Sequence, residues 1–341
     1  MVHSPTPFGA DAGDEEVERV ICASMASSAN GLFAQMEAIR QSSLRHNAAL
    51  GVHAVLISQS GWFIHWVEGP GDAVRALLAR VRNDPRHHSQ RVLHHSRGVR
   101  FVPTTWSMVL SPSTESAADF GARVLDLRYM MEQGRQFAPT SVIRRLTAPM
   151  RLAMAQDRDD PEAYHRVGVC SAGANEAFDL VRWLAQRHDT VVHARRYAGE
   201  TDMDSATDYV DFMEAGEPCR MIAISRPSLQ HGMRRAFLPD WPWLLLLFVG
   251  DARRDGALMD RIRDAFANLP FTPALLGVAP DAATHERMAA MAQAADLRYE
   301  SLGVMSPAES PAVWQVLRLH LAQAGTPPSS VWAVPEPFLS D

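Results

Sequence analysis

A continuous apolar run, W-P-W-L-L-L-L-F-V-G at residues 241–250, constrains the fold of this chain more than any other segment. It is far shorter than the ~20 residues that a membrane-spanning helix needs. A strand that is buried on both faces has such an uninterrupted apolar sequence, whereas a half-exposed strand alternates between apolar and polar residues. The run therefore predicts the central parallel strand of a sheet that helices cover on both faces.

The sequence around this run alternates between strand and helix patterns. R-V-G-V-C predicts a strand, followed by the turn S-A-G-A-N and the helix E-A-F-D-L-V-R-W-L-A-Q-R. Further strands are predicted at T-V-V-H-A-R-R-Y, T-D-Y-V-D-F-M-E, C-R-M-I-A-I-S and P-A-L-L-G-V-A-P, and further helices at A-L-M-D-R-I-R-D-A-F and H-E-R-M-A-A-M-A-Q-A-A. Such alternation is typical of a doubly wound α/β sheet. We assign it to residues 161–341.

The N-terminal part of the chain has a different order of elements. After a predicted flexible leader at residues 1–16, the patterns between residues 17 and 110 follow the order β-α-β-β-α-β, which is the ferredoxin-like α+β arrangement. Residues 111–160 contain two segments with helical periodicity. The 341 residues are therefore predicted to form two domains joined by a helical linker, since single cores rarely exceed about 250–300 residues. The acidic run near residues 157–161 marks the predicted boundary.

Composition excludes several classes of function. All 33 basic residues are arginine, so Schiff-base catalysis, a lysine general base and a phosphate-loop lysine are all excluded. A net charge of −6 argues against a general nucleic-acid binder. The acidic N-terminus lacks the apolar stretch of a signal peptide, and the three distant cysteines suit neither a disulfide framework nor a zinc site. The histidines do not have the spacing of metal ligands either, so we expect no bound metal. The absence of a disulfide framework leads us to expect a cytoplasmic protein.

Four segments of the N-terminal half resemble the BLUF family, the blue-light sensors that use FAD. They are S-S-L-R-H-N-A-A-L-G-V, W-F-I-H-W-V-E-G-P, N-D-P-R-H and R-F-V-P-T-T-W-S-M, in the family's order over residues 17–110. The resemblance implies that a flavin ring lies between the two helices. It also implies a Tyr on the first strand, a Gln on the third strand and an Asn at the end of the first helix, all hydrogen-bonded around that ring. In the family, blue light drives electron and proton transfer from the Tyr, and the Gln side chain then rearranges.

Carried over to this chain, the resemblance places the family Tyr at Cys22 and the family Gln at His65. The Asn is retained as Asn47. The other predicted site residues that this resemblance implies are His46, Arg86, His87, Trp106 and Met108. The run from Phe101 to Trp106 is two residues longer than the usual form, so the alignment of Trp106 and Met108 stays open.

These substitutions predict loss of the family's photochemistry. A thiol lacks the aromatic ring of a phenol, and a buried cysteine usually behaves as a small hydrophobe. A primary amide presents a donor and an acceptor on one rotatable end, whereas a neutral imidazole holds them on opposite sides of a ring. FAD binding stays open at this point, because Asn47 and Arg86 favour it while the substitutions at Cys22 and His65 disfavour it.

The C-terminal half resembles bacterial Ras-like small GTPases that work with roadblock-type partners. The resemblance rests on the opening strand-turn-helix, on D-Y-V-D-F-M-E-A-G-E-P-C-R-M-I-A-I-S, on L-L-L-L-F-V-G-D-A-R-R-D and on L-L-G-V-A-P. The family's phosphate loop, G-x-x-x-x-G-K-[ST], falls on C-S-A-G-A-N-E-A at residues 170–177, which includes Gly173 and Asn175. Glu176 stands at the lysine position and Ala177 at the magnesium-binding hydroxyl. A glutamate there would repel a triphosphate, so we expect a domain that binds no GTP.

Together these patterns predict a non-catalytic signalling or scaffold protein that acts through protein–protein interaction. It would combine a photochemically impaired BLUF domain with a nucleotide-free pseudo-GTPase domain. The expected partner is a protein, either a roadblock-type protein or a second copy of the chain, and we expect neither nucleic acid nor a membrane span. Two alternatives stay open: a sensor of blue light or redox state that binds FAD, and, less favoured, an NTPase. For the linker helices, signal relay or dimerisation and simple coverage of the sheet stay open equally.

Overall fold

In the computed structural model, the N-terminal strands form one five-stranded sheet in the order β4-β1-β3-β2-β5. The structure describes residues 16–27, 32–111, 113–156, 163–197, 205–230, 232–267, 269 and 272–325. The N-terminal elements are β1 (Val17–Ala26), α1 (Leu32–Asn47), β2 (His53–Gln59), β3 (Trp62–Gly69), α2 (Gly71–Arg82), β4 (His87–Gly98) and β5 (Trp106–Leu110). The β-α-β-β-α-β order was predicted. The fifth strand, which pairs in parallel with β2, was not.

The two faces of this sheet pack against different partners. On one face, Val20, Leu56 and Phe63 pack with Met36 of α1 and Val74 of α2. Three helices follow β5: α3 (Ala117–Glu132), α4 (Pro139–Thr147) and the short α5 (Ala153–Gln156). The opposite face of the sheet packs against α3 and α4, which supply the apolar residues there. The alternation of side chains along each strand produces this division. The linker helices therefore cover the open sheet face, as one of the two alternatives predicts. Signal relay by the same helices stays a prediction.

The C-terminal strands form a seven-stranded mixed sheet in the order β12-β11-β10-β6-β9-β8-β7. Its elements are β6 (His165–Ser171), α6 (Glu176–Arg187), β7 (His193–Tyr197), β8 (Ser205–Glu214), β9 (Glu217–Ile224), α7 (Gly232–Phe237), β10 (Trp243–Leu247), α8 (Ala252–Phe266), β11 (Ala274–Ala279), α9 (Ala282–Ala294), β12 (Tyr299–Val304) and α10 (Ser310–Ala324). The apolar run supplies β10, which lies between β6 and β11 and is parallel to both. The prediction of a central parallel strand is confirmed.

Helices cover both faces of this sheet, as predicted. α6 and α10 pack on one face through Leu180, Leu184, Trp314 and Leu317. α8 and α9 pack on the other face, whose apolar residues belong to the same cluster as those of the N-terminal sheet. The two sheets therefore share one continuous core, and α4 lies in it with most of its residues buried.

Two predictions lie outside the described residues. They are the flexible leader, apart from its last residue, and the boundary at residues 157–161. Among the helices that the structure describes, none is long and apolar enough to cross a membrane.

Candidate functional site

A cavity of about 160 Å³ lies between α1 and α2, over one face of the N-terminal sheet. The helices supply its sides, β1, β2 and β3 supply its floor, and the loop after α2 closes one end. Its lining residues are Ser24, Ile39, Ser42, Ser43, His46, Asn47, Leu56, Phe63, His65, Leu77, Arg80, Val81, Asp84, Arg86 and His87. Five of the predicted site residues line it, namely His46, Asn47, His65, Arg86 and His87.

The pairing of the strands brings the other predicted residues close to this cavity. One row across the sheet runs through Cys22, His65, Leu56 and Met108, which are paired in register on β1, β3, β2 and β5. The ring of Trp106, also on β5, stands edge-on to the ring of His65 with 6.2 Å between the ring centroids. Trp106 and Met108 are buried beneath the cavity and do not line it.

Within the part of the chain that the structure describes, three polar atoms of cavity-lining side chains are buried without a hydrogen-bond partner. They are Nδ2 of Asn47, Nε2 of His65 and Nδ1 of His87. A buried polar group without a partner costs about 1–3 kcal/mol, so native proteins almost always pair such groups with protein, water or ligand. These three atoms belong to three elements and line one cavity, which is the arrangement expected where a polar ligand completes the site.

His65 is held as a neutral imidazole. Burial, with a smaller contribution from nearby His87, lowers the pKa of His65 to about 4. A neutral imidazole has one N–H donor and one acceptor nitrogen. His65 can therefore donate to or accept from a ligand at Nε2, but it cannot present both functions on one rotatable end as an amide does.

Cys22, the predicted β1 residue of the flavin site, is buried next to the cavity without lining it. The β1 side chain that lines the cavity is Ser24, two residues further along the same face. Cys22 is buried beneath the helices, and burial raises the pKa of its thiol to about 11. It is therefore a neutral, buried thiol at physiological pH. The period of two along a strand places both side chains on one face, so the sequence alone did not separate them.

Arg86 and His46 lie at the border of the cavity. The Arg86 guanidinium binds both carboxylate oxygens of Asp84, at 2.8 and 2.9 Å from its Nε, and this pairing lowers the pKa of Asp84. His46 is exposed, and its Nδ1 lies 2.6 Å from the backbone oxygen of Ser42. Sequence reasoning missed the polar wall residues Ser24, Ser42, Ser43, Arg80 and Asp84. On α1, Ser43 lies four residues before Asn47 and Ser42 lies five residues before it. This spacing indicates the same side of the helix as Asn47 and could have identified both serines.

The wall residues fit a flavin ring. The pyrimidine edge of an isoalloxazine offers carbonyl acceptors and an N–H donor, which match the amide of Asn47 and the imidazoles of His65 and His87. The apolar part of the wall consists of Ile39, Leu56, Phe63, Leu77 and Val81. Among the described residues, no group of three or more His, Cys, Asp or Glu side chains is placed to hold a metal ion.

The segment predicted to be a phosphate loop connects β6 to α6. Ser171 ends the strand, and its hydroxyl donates to the carboxylate of Glu176 at 2.6 Å and accepts the backbone N–H of Gly173 at 2.9 Å. The Glu176 carboxylate folds back so closely over Gly173 that a Cβ atom at this position would collide with it. Asn175 is exposed before the first turn of α6, and Ala177 is buried against the sheet. A negatively charged side chain therefore occupies the concave side of the loop.

Comparison with known proteins supports a BLUF domain at the N-terminus. Residues 18–109 match the model of the BLUF family, described as sensors of blue-light using FAD. The chain is 31% identical over 117 residues to photoactivated adenylate cyclase subunit beta of Euglena gracilis, and 30% identical over 117 residues to that of Euglena longa. Both alignments cover 33% of this chain, and the chain spans only 14% of the length of these relatives. A solved structure of the BLUF protein BlrB in its dark state is 22% identical and covers 36% of this chain and 88% of that chain, with a TM-score of 0.27.

Proposed function

We propose that this chain is a non-catalytic signalling protein that holds FAD between α1 and α2 without the family's usual photochemistry. The observation that carries the proposal is the cavity wall, with the buried and unpartnered Nδ2 of Asn47, Nε2 of His65 and Nδ1 of His87. Flavin is the ligand that the BLUF resemblance implies, and these atoms are placed to bind its polar edge. FAD would supply a blue-absorbing, redox-active ring.

The impaired light response follows from the side chains around that ring. The β1 residues at and next to the cavity are Ser24, which lines it, and Cys22, which is buried beneath it. Neither residue has the phenol of a tyrosine. His65 supplies an imidazole in place of a primary amide. Electron and proton transfer from a phenol, followed by rearrangement of an amide, therefore has no equivalent at these positions.

The C-terminal domain is proposed to be a pseudo-GTPase that binds no nucleotide. The strand-loop-helix from β6 to α6 has the order of a phosphate-loop motif, and the sheet has the parallel core that such domains use. The Glu176 carboxylate lies where it would repel a phosphate. We propose that this domain acts through contacts with a protein, either a roadblock-type partner or a second copy of the chain, in the cytoplasm.

A flavin-based redox sensor is the second candidate function. The neutral imidazoles of His65 and His87 favour it, because each ring has one N–H donor and one acceptor nitrogen and could hydrogen-bond to either oxidation state of a bound flavin. In a redox sensor, the oxidation state of the bound flavin would change the affinity for the partner protein. In the first candidate it would not.

Reconstitution with FAD tests the proposal. The full chain is refolded or expressed with excess FAD, freed of unbound flavin, and the bound flavin is measured by absorbance near 450 nm. Asn47→Ala should lower flavin occupancy at least several-fold, because it removes one ring contact and leaves the cavity otherwise intact. Asn83→Ala, at an exposed amide after α2, is the matched control and should keep the occupancy of the parent.

Two outcomes would contradict the proposal. One is a parent chain that retains no flavin under saturating conditions. The other is an equal occupancy in the Asn47→Ala variant and in the parent, which would place any bound flavin outside this cavity.

A further inference from the structure

Glu68, near the end of β3, is a buried carboxylate on the sheet face opposite the cavity between α1 and α2. The residue is 0% exposed. Trp66 Nε1 donates to its Oε1 at 2.9 Å, and the backbone N–H groups of Phe101 and Val102 donate to its Oε2 at 2.7 and 2.8 Å. The carboxyl group therefore holds residues 99–105, which join β4 to β5 and which we call the β4–β5 segment.

No ion pair compensates the charge of Glu68 within the described part of the chain. The nearest guanidinium groups, from Arg19 on β1 and Arg100 in the β4–β5 segment, bind other atoms. Arg19 donates to Ser96 Oγ and to two backbone oxygens, and Arg100 donates to the backbone oxygens of Glu68 and Gly51. Glutamate is almost never fully buried unless it is paired, because burial disfavours the charged form.

The buried position makes the protonation of Glu68 sensitive to any opening of the structure around it. Burial raises the pKa of Glu68 from its ordinary value of 4.5 to about 7, and the three donors and Arg19 offset only part of this effect. A carboxyl group that is exposed to water keeps its ordinary pKa. The conformation that buries Glu68 therefore holds the proton more tightly than one that exposes it, so loss of the proton favours exposure.

Two histidines on neighbouring strands would respond to pH in the opposite direction. On β2, His53 Nδ1 lies 2.7 Å from the backbone oxygen of Val102, and burial lowers the pKa of His53. Exposure of His53 would therefore take up a proton, which favours opening as the pH falls. On β4, burial lowers the pKa of His94 to about 3, so this imidazole stays neutral well above that pH.

The β4–β5 segment lies between the two functional parts of the chain. It leads into β5, whose Trp106 and Met108 are buried beneath the cavity between α1 and α2. It also contains most of the run from Phe101 to Trp106 that is two residues longer than the usual BLUF form. On the other side, the ring of Trp66 stands edge-on to the uncharged ring of Phe237 in α7, with 6.2 Å between the centroids.

We propose that Glu68 is a charge-sensitive latch, which keeps the β4–β5 segment closed while its carboxyl group is protonated and releases the segment to water when the group ionises. A protonated carboxyl group still accepts hydrogen bonds, so the closed segment keeps its partners. On opening, the proton passes to solvent water. The inference does not rest on the proposed flavin site, because none of the residues that line that cavity takes part.

Hydrogen exchange at the Phe101 and Val102 amides of the full chain tests the latch, since the carboxyl group itself protects these N–H groups. An amide that exchanges through a local opening gains about tenfold per pH unit from base catalysis, and release of one proton on opening adds about another tenfold. Exchange at both amides should therefore rise about 100-fold per unit between about pH 5 and 6.5. Leu297, whose N–H donates to the Ala292 oxygen at the end of α9, should rise only about tenfold per unit.

Two variants assign the proton to a side chain. Glu68→Gln keeps the shape but cannot ionise, so exchange at both amides should rise only about tenfold per pH unit. His53→Gln is the matched control and should keep the steep rise, because His53 acts in the opposite direction. A rise of only about tenfold in the parent, a steep rise that persists in Glu68→Gln or is lost in His53→Gln, or an equally steep rise at Leu297 would each overturn the proposal. The measurement on the parent decides the question even where a variant does not fold.

Discussion

Replacing Glu176 by glutamine tests whether the chain carries its own substitute for a phosphate group. The Glu176 carboxylate accepts the hydroxyl of Ser171 at 2.6 Å and lies in the first turn of α6, over the loop that a phosphate would otherwise occupy. Glutamine keeps the size and one acceptor oxygen but removes the charge. The loop geometry predicts that the charge, and not the shape, stabilises this end of the helix.

The expected loss follows from two contributions. A negative charge in the first helical turn stabilises a helix by about 0.3–1 kcal/mol. A hydrogen bond to a charged acceptor exceeds a neutral one by roughly 0.5–1.5 kcal/mol. Glu176→Gln should therefore lower the free energy of unfolding by about 1–2 kcal/mol, which corresponds to a fall in Tm of about 2–8 °C for a domain of 150–250 residues.

Thermal and urea unfolding of the full chain measure this loss. Asp179→Asn removes an exposed carboxylate that also lies in the first turn of α6 but pairs with Arg182. This variant is the matched control, with an expected effect of at most about 1 kcal/mol. Millimolar phosphate or sulfate should restore stability to Glu176→Gln and not to the parent, because an anion could then supply the negative charge at the N-terminus of α6. Equal stability of Glu176→Gln and the parent would refute the reasoning.

Thermal unfolding with added nucleotide tests whether the C-terminal domain binds GTP or ATP. If Glu176 fills the loop, GTP or ATP with magnesium should leave the Tm of the parent unchanged, since only a ligand that binds the folded state raises it. A rise in Tm with either nucleotide would refute the proposal that this domain binds none. Glu176→Lys combined with Ala177→Thr shows whether the loop can regain nucleotide binding.

Three further predictions concern the N-terminal domain. Blue light should give the FAD-loaded chain no reversible red shift of the flavin band; a shift of about 10 nm that decays in the dark would contradict this expectation. Cys22→Tyr with His65→Gln, made together, should raise flavin occupancy over the parent, because the pair restores the side chains that the BLUF resemblance implies at these positions; equal, negligible flavin content in both chains would contradict this expectation. Because burial lowers the pKa of His65 to about 4, below its ordinary value of 6.5, this imidazole takes up a proton on unfolding between those pH values. Stability present above pH 6.5 should therefore fall by about 1–3 kcal/mol as pH approaches 4, and His65→Gln should flatten that slope in unfolding experiments at several pH values.

The sequence predicted elements best where the hydrophobic pattern was strong. The run that forms β10 is buried on both faces, and this burial produces the uninterrupted apolar pattern from which the strand was predicted. β12 was missed because it lies at the edge of the sheet, where Glu300 and Ser301 are exposed and the pattern is mixed. β5 was missed because its partner, β2, is about 50 residues away, and no local pattern encodes that pairing.

The candidate site could be predicted by residue type but not in its detail. His65, Asn47 and His87 were identified from the BLUF resemblance, and all line the cavity. The difference between Cys22 and Ser24 depends on where α1 and α2 leave space above the strand, and helix placement is a tertiary property. The burial of Arg144 within α4 was equally hidden, because P-T-S-V-I-R-R-L-T has the polarity of an exposed helix.

That burial explains how the two domains can influence each other. α4 lies against the N-terminal sheet through Val142 and Ile143, while Arg144 on the same helix pairs with Asp240 of the C-terminal domain. Removing one member of a buried ion pair costs about 3–5 kcal/mol, so separation of the two domains would break a contact of that size. A packed core and a buried ion pair, rather than a flexible linker alone, therefore connect the N-terminal sheet to the C-terminal domain.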